Sequence, residues 1–289
     1  MSTKFLFVVN ISSSNKPSIE TAVHQKFTNP SKEPNRQNVN HNHHHHHRRH
    51  LLPPPDLFDK TTIISLFSTI AILLAALALS RLVLSPSTPK SLRFLFIWHA
   101  FDALIHFFLE GSFLYHCFFS SVSVAKDGTI SYYPNPHNYL GSGEGVVHGA
   151  QAGGENAFAQ LWMVYARADK RWAGVDLGVV SLELLTVFVV GPLACLVCYD
   201  IVKKNPRANI TMIILATAEI YGGFMTFCPE WLTGSVNLDT SNVVYLWLYL
   251  VFFNMLWVFI PAYAIWTSSI DIFDAFRVRT ASVAGKKMK

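Results

Sequence analysis

Trp98, His99, Asp102, His106 and Glu110 interrupt an otherwise apolar run, residues 93–121, that is long enough to cross a bilayer. Each ionisable group at that depth costs roughly 2.5–3.5 kcal/mol on insertion scales, so such groups mark functional positions by default. His106 and Glu110 are four residues apart, which on a helix stacks them on one face near mid-span. An imidazole and a carboxyl so placed form a pair able to pass a proton.

Three further apolar runs repeat the pattern. Glu183 and Thr186 fall near the centre of residues 175–199, Glu219 within 209–228, and Asn254 and Trp257 within 243–266. Carboxyls that share a dry site separate into one that keeps a proton and one that does not, which supplies an acid and a base. Asn254 and Trp257 stand three apart on one helical face, and indole is the best neutral ring for stabilising a cation. Carboxyls, such a ring and many phenylalanines suit the protonation of a lipophilic alkene. The competing structural reading makes the glutamates hydrogen-bonded glue between helices, His106 a group that only satisfies Glu110, and Trp257 core packing. Nucleophilic catalysis finds no support, since no Ser or Cys stands beside a His and an acid in a recognisable arrangement. No Gly-rich phosphate loop, dinucleotide fingerprint or zinc signature is present, so no metal and no cofactor is expected.

Positioning these groups takes five membrane-crossing helices, at residues 61–84, 94–119, 175–199, 209–228 and 243–266. Composition agrees: 51% of the 289 residues are hydrophobic and 14% charged, with a mean hydropathy of +0.29 despite a polar N-terminal tail. The polar groups should face one another across the bundle, because facing lipid would leave each unsatisfied. The first span places no carboxyl, imidazole or amide at mid-depth and is expected at the periphery of the site. A net charge of +5, concentrated in the tail, the loops and the C-terminus, points to anionic headgroups rather than nucleic acid. Cys117, Cys195, Cys198 and Cys228 all lie in apolar runs and read as small buried hydrophobes.

Outside the spans, residues 1–60 read as a disordered polar tail with a histidine run at 41–50 and prolines at 53–55. Residues 126–154 form a long Gly-, Asn- and Pro-containing loop, 155–172 an interfacial helix, and 276–289 a basic tail. Gly191 and Pro192 predict a kink in the third span. The closing Lys286, Lys287, Met288 and Lys289 resemble a dilysine retrieval signal, which places the C-terminus in the cytosol. With five spans the N-terminal tail is then lumenal, and Asn10 an available glycosylation site.

Several of these stretches resemble the emopamil-binding protein family: His106 to Glu110 and Gly111; the run from Ala159 through Trp162, Tyr165 and Asp169 to Arg171; Glu183 to Thr186 leading to Gly191 and Pro192; Ile220, Tyr221 and Gly222; and Asn254 to Trp257. The resemblance covers about residues 60–275. It implies the five-helix EXPERA domain of sterol Δ8–Δ7 isomerases in the endoplasmic reticulum membrane. Such enzymes protonate the 8,9 double bond at C9, leave a carbocation at C8 and remove a proton from C7, with no redox cofactor.

Carried over by motif, His106, Glu110, Glu183 and Thr186 look like the proton-transfer network, and Asn254 and Trp257 look like the groups that orient it and stabilise the cation. Trp98, Glu219 and Tyr221 are expected to contact substrate. The partners implied are a sterol-like substrate, membrane lipid and cationic amphiphilic inhibitors, with a homodimer among the assemblies allowed. The long loop and the tail look like additions to a more compact plan, so another triterpenoid is the alternative substrate. A non-catalytic sterol or cationic-amphiphile binder of the same superfamily is the rival from another class, although a pure binder needs only one anionic group. A proton-coupled transporter would also place carboxyls at mid-depth, but the chain has no internal repeat.

Overall fold

A computed structural model describes residues 60–124 and 131–287. The expectations for the histidine run, for Asn10 and for most of the tail and the end of the dilysine signal lie outside the described residues. Five helices are long and apolar enough to cross a membrane, giving an all-α polytopic membrane fold. The first is α1, Lys60–Val83, about 36 Å at the α-helical rise of 1.5 Å per residue. Pro86 and Pro89 end it and start the next span, α2, Lys90–Leu104. Arg93 locks this turn by donating to the carbonyls of Ser80 and Ser85, at 2.8 and 2.7 Å.

The second span does not stop at Leu104. It widens into a π-helical segment, Ile105–Glu110, and continues as α3, Gly111–Phe119. The third span is built the same way: α5, Leu177–Leu185, then a π segment, Thr186–Val190, then α6, Gly191–Val202. Pro192 sits at the start of α6, where the wider turn tolerates its missing N–H, so the expected kink takes the form of a π bulge. The fourth span is α7, Arg207–Leu232, tied to α6 by a two-pronged Arg207–Asp200 pair at 2.7 and 2.8 Å. The fifth opens with a π segment, Tyr245–Phe252, and runs on as α8, Phe253–Lys287. The stretch from residue 276, read from sequence as a tail, is therefore an exposed continuation of the last helix.

Two further expectations change. Of residues 155–172 only Ala157–Tyr165 form an α-helix, α4, and it packs against α1 and α3 with Trp162 and Val164 buried, rather than lying on the surface. The described part of the long loop is folded: β1, Ser121–Ser123, pairs antiparallel with β2, Val146–His148, and the buried Tyr139 donates its hydroxyl to the Cys117 carbonyl at 3.1 Å. Phe67, Phe119, Phe188 and Phe259 point outward, where hydrocarbon is as good a solvent as the core. Cys195 is exposed on the same outer surface, and Cys117 is the one described cysteine that is fully buried.

Candidate active site

His106 occupies the centre of the bundle with 2% of its surface exposed. Its Nδ1 lies 2.5 Å from Glu110 Oε2, and its Nε2 lies 3.1 Å from Asp102 Oδ1. Asp102, His106 and Glu110 thus stack at four-residue steps along one helix face, and the π segment that begins at Ile105 swings Glu110 towards the third span. The π segments of the second and third spans pack against each other. Gly191 makes this approach feasible: a Cβ there would stand 3.1 Å from the Phe107 ring and 3.4 Å from His106 Cβ.

Across that contact the Glu110 carboxyl comes within hydrogen-bonding reach of the Glu183 carboxyl and the Thr186 hydroxyl. Thr186 Oγ1 donates to Glu183 Oε2 at 2.9 Å. Two carboxyls hydrogen-bond only with a proton between them, because an ionised carboxylate has no donor. Glu183, Glu110 and His106 therefore form a chain that must hold at least one mobile proton.

The chain opens onto a cavity of about 230 Å³. His106, Glu110, Glu183, Thr186, Glu219, Asn254 and Trp257 all line it. Its aromatic wall is Trp162, Tyr165, Trp172, Tyr249, Phe253 and Trp257, a mixture dominated by tryptophan and tyrosine rather than the expected phenylalanines. Trp162 and Trp172 stack at 4.8 Å with planes 8° apart. Ser65, Leu66 and Thr69 of α1 close one side, so the first span, expected at the periphery, is part of the wall although it brings no titratable group.

Trp257 and Asn254 are tied to this site in different ways. Trp257 Nε1 donates to Asp102 Oδ1 at 2.9 Å, which fixes the indole beside the acid cluster. Asn254 Nδ2 donates to the Tyr249 and Leu250 carbonyls, at 2.9 and 3.1 Å, and to the Tyr165 hydroxyl at 3.2 Å. Burial pushes the Tyr165 phenol above its ordinary range, so it stays protonated and faces the cavity as a donor. Glu219, 8% exposed, faces the Asp102 carboxyl.

Tyr221 and Trp98 are not on the cavity wall. Tyr221 is 62% exposed on the outer face of α7, two positions from Glu219 and hence turned about 200° away at 3.6 residues per turn. Trp98 is buried behind Trp257, with ring centres 5.2 Å apart, and supports that ring from the rear. Sequence reasoning named Asp102 but gave it no role. Its signal was the second four-residue step, Asp102 to His106, which repeats the step from His106 to Glu110. Asp102, His106 and Glu219 each offer a ligand atom within 4.8 Å of the others, so these are the described residues placed to hold a metal ion.

A family model described as EXPERA (EXPanded EBP superfamily) matches residues 157–268, a stretch that holds Glu183, Thr186, Glu219, Asn254 and Trp257. Over that stretch the chain is similar to the emopamil-binding protein family. Among the chain's relatives, the 3-beta-hydroxysteroid-Delta(8),Delta(7)-isomerase of Cavia porcellus is 28% identical over 137 residues, 47% of this chain and 60% of that protein. A probable 3-beta-hydroxysteroid-Delta(8),Delta(7)-isomerase of Arabidopsis thaliana is 26% identical over 208 residues, 72% of this chain and 78% of that protein. An isomeliandiol synthase of Melia azedarach is 26% identical over 179 residues, covering 62% of this chain and 69% of that protein. The chain thus spans less than two thirds of the guinea-pig relative's length.

Proposed function

We propose that this protein is an intramembrane isomerase of the emopamil-binding protein family that moves a ring double bond of a sterol from Δ8 to Δ7, in the endoplasmic reticulum membrane. The observation that carries the reading is the unbroken sequence of Glu183, Glu110 and His106 on the wall of an apolar cavity, with an indole beside it. One carboxyl gives a proton to C9 of the alkene. The positive charge that develops at C8 is stabilised by the Trp257 ring and by the neighbouring carboxylate, already in place and shielded from water. Loss of the C7 proton to a second, ionised carboxylate completes the transposition, and no oxidant or reductant enters the balance. His106 steadies the carboxylate it touches and is able to take up a proton from it.

The cavity is smaller than common ligand pockets, which run from roughly 300 to 1,000 Å³. A sterol therefore fills it with its ring system while its side chain leaves between helices. A cationic amphiphile with its ammonium where the carbocation forms should inhibit. The relative named as an isomeliandiol synthase favours a second reading, an isomerase of another triterpenoid that uses the same proton transfers.

Expression in a cell lacking Δ8–Δ7 isomerase, followed by sterol profiling, tests both readings. Restored Δ7 sterols carry the first. Unchanged sterols, with turnover of a tetracyclic triterpenoid by purified protein, carry the second. Binding of either ligand without any turnover would leave the non-catalytic rival standing.

A further inference from the structure

The line of close polar contacts does not end at His106, although Nε2 is in ion-pair range of Asp102 rather than in hydrogen-bond geometry with it. Its Nε2 faces Asp102 Oδ1 at 3.1 Å, and Asp102 faces Glu219 carboxyl to carboxyl. Asp102 is fully buried, Glu219 is 8% exposed, and among the described residues no N–H or O–H donor reaches Asp102 Oδ2 or either oxygen of Glu219. Three carboxylate oxygens left bare in an apolar interior are untenable as two full negative charges. One shared proton removes the conflict, as it does for Glu110 and Glu183. His106 therefore stands between two carboxyl pairs, with one ring nitrogen turned to each. Neutral imidazole donates from one nitrogen and accepts at the other, so it passes a proton by taking it on one side and losing it on the other.

The two ends of this five-residue sequence, Glu183 and Glu219, line the same cavity, whereas Asp102 does not reach it. Isomerisation consumes one proton at one carbon and releases one at another, so it is proton-neutral overall. It nevertheless leaves the donor empty and the acceptor loaded. We propose that Asp102 and Glu219 are the second half of an internal return path, through which the proton taken from one substrate is carried past His106 to recharge the donor for the next.

This inference rests on the isomerase reading. Glu219 touches substrate in it, and Asp102 is a positioning and relay residue held by the Trp257 indole. Each transfer breaks one O–H or N–H bond and makes one at the next group, with no co-reactant. The competing occupant of the same atoms is a metal ion. The proton is favoured because a divalent ion would have to shed its water to enter an apolar wall.

Two measurements on the purified full chain decide it. Infrared spectra in H2O and D2O should show two isotope-sensitive bands of protonated carboxyls, one abolished by Glu219→Gln and the other by Glu183→Gln. This readout needs no turnover. Absence of the Glu219-dependent band overturns the proposal even if wild-type protein isomerises sterols. Rapid-quench kinetics of Asp102→Asn should show about one product per enzyme in the first turnover, then steady turnover slowed at least about tenfold more than that first event. Equal slowing of both phases overturns the return path, as does a stoichiometric metal in elemental analysis of the active protein. Wild-type protein that converts no alkene sinks the isomerase reading and the return path with it, while the infrared bands still report whether the second pair shares a proton.

Discussion

Two buried polar clusters sit within this bundle, and they are put together on opposite principles. Around Arg171, every charge is matched. Its Nε and Nη2 donate to the two Asp169 oxygens at 2.9 and 2.7 Å, and its Nη1 donates to the Thr226 carbonyl at 2.8 Å. Glu230 completes the cluster by accepting from Asn237 Nδ2 at 2.7 Å and from the Asn237 backbone at 3.1 Å. Around His106, four carboxyl groups share one imidazole, one indole N–H and one threonine hydroxyl, and among the described residues several oxygens have no donor. The first cluster has what a scaffold needs, since satisfied buried ions fix one geometry. The second requires mobile protons to exist at all. Removing a member should therefore damage folding in the first case and chemistry in the second.

The largest expected effect separates the clusters at the glutamates. Glu110→Gln and Glu183→Gln keep volume and hydrogen bonding but cannot exchange a proton, so turnover per folded protein should fall on the order of 100- to 10,000-fold while thermal stability in detergent stays near wild type. Turnover within about threefold of wild type at either position removes that glutamate from the proton chemistry, and leaves it as helix glue, which averages only about 0.6 kcal/mol per bond. The mirror experiment is Arg171→Met. It strands Asp169 and should cost about 3–5 kcal/mol of stability, visible as a lower melting temperature and yield, with activity per folded molecule retained. Normal stability there would break the comparison from the other side.

The contrast also explains what was legible in the sequence. Number and order of spans followed from run length and composition, because a bilayer allows few alternatives. His106 and Glu110 were legible as a pair because both sit on one helix, and Gly191 with Pro192 announced a local break. Contacts between spans were not. Glu219 facing Asp102, Trp257 bonding Asp102, and Ser65 and Thr69 closing the cavity depend on how helices rotate against each other, which apolar periodicity in a lipid-facing helix does not fix. Tyr221 failed for the same reason: it shares a motif with Gly222, which lines the cavity, yet is turned about 100° from it onto the outer face of α7. The π segments were hidden as well, although each coincides with a site residue or its immediate neighbour.

A smaller effect probes the indole that bridges cavity and acid cluster. Trp257→Phe keeps an aromatic face but removes the donor to Asp102 Oδ1, a hydrogen bond to a charged group worth about 1.5–3 kcal/mol. Turnover should fall roughly tenfold or more, since 1.4 kcal/mol is a factor of ten. A sterol-like amine should still bind the variant better than its neutral carbon analogue, because carboxylate and ring both remain. Equal potency of amine and carbon analogue on the wild-type protein would mean that the site reads apolar shape alone.

The smallest effect concerns pH, and it sets the two clusters apart without touching the acids of the site. Burial works against the Arg171 charge, but the Asp169 hydrogen bonds and the charges of Asp169 and Glu230 outweigh it and hold the guanidinium above its ordinary range. Burial also pushes the Tyr165 phenol up. Both groups are protonated more readily in the folded chain than in the unfolded one. Their contribution to stability is therefore complete below the unfolded values, about 10 for tyrosine and higher for arginine, and is lost only as pH rises beyond them. Thermal stability should then show no step from these groups between about pH 6 and 9, whereas turnover is free to vary there with the proton chain. Tyr165→Phe should leave stability in that window within about 1 kcal/mol and remove part of the decline above about pH 10, since within the protein the hydroxyl accepts one hydrogen bond, from Asn254 at 3.2 Å. A melting-temperature series against pH on wild type and this variant checks the sign, and a stability step near neutrality that disappears in Tyr165→Phe would show that the phenol titrates far lower than its burial implies.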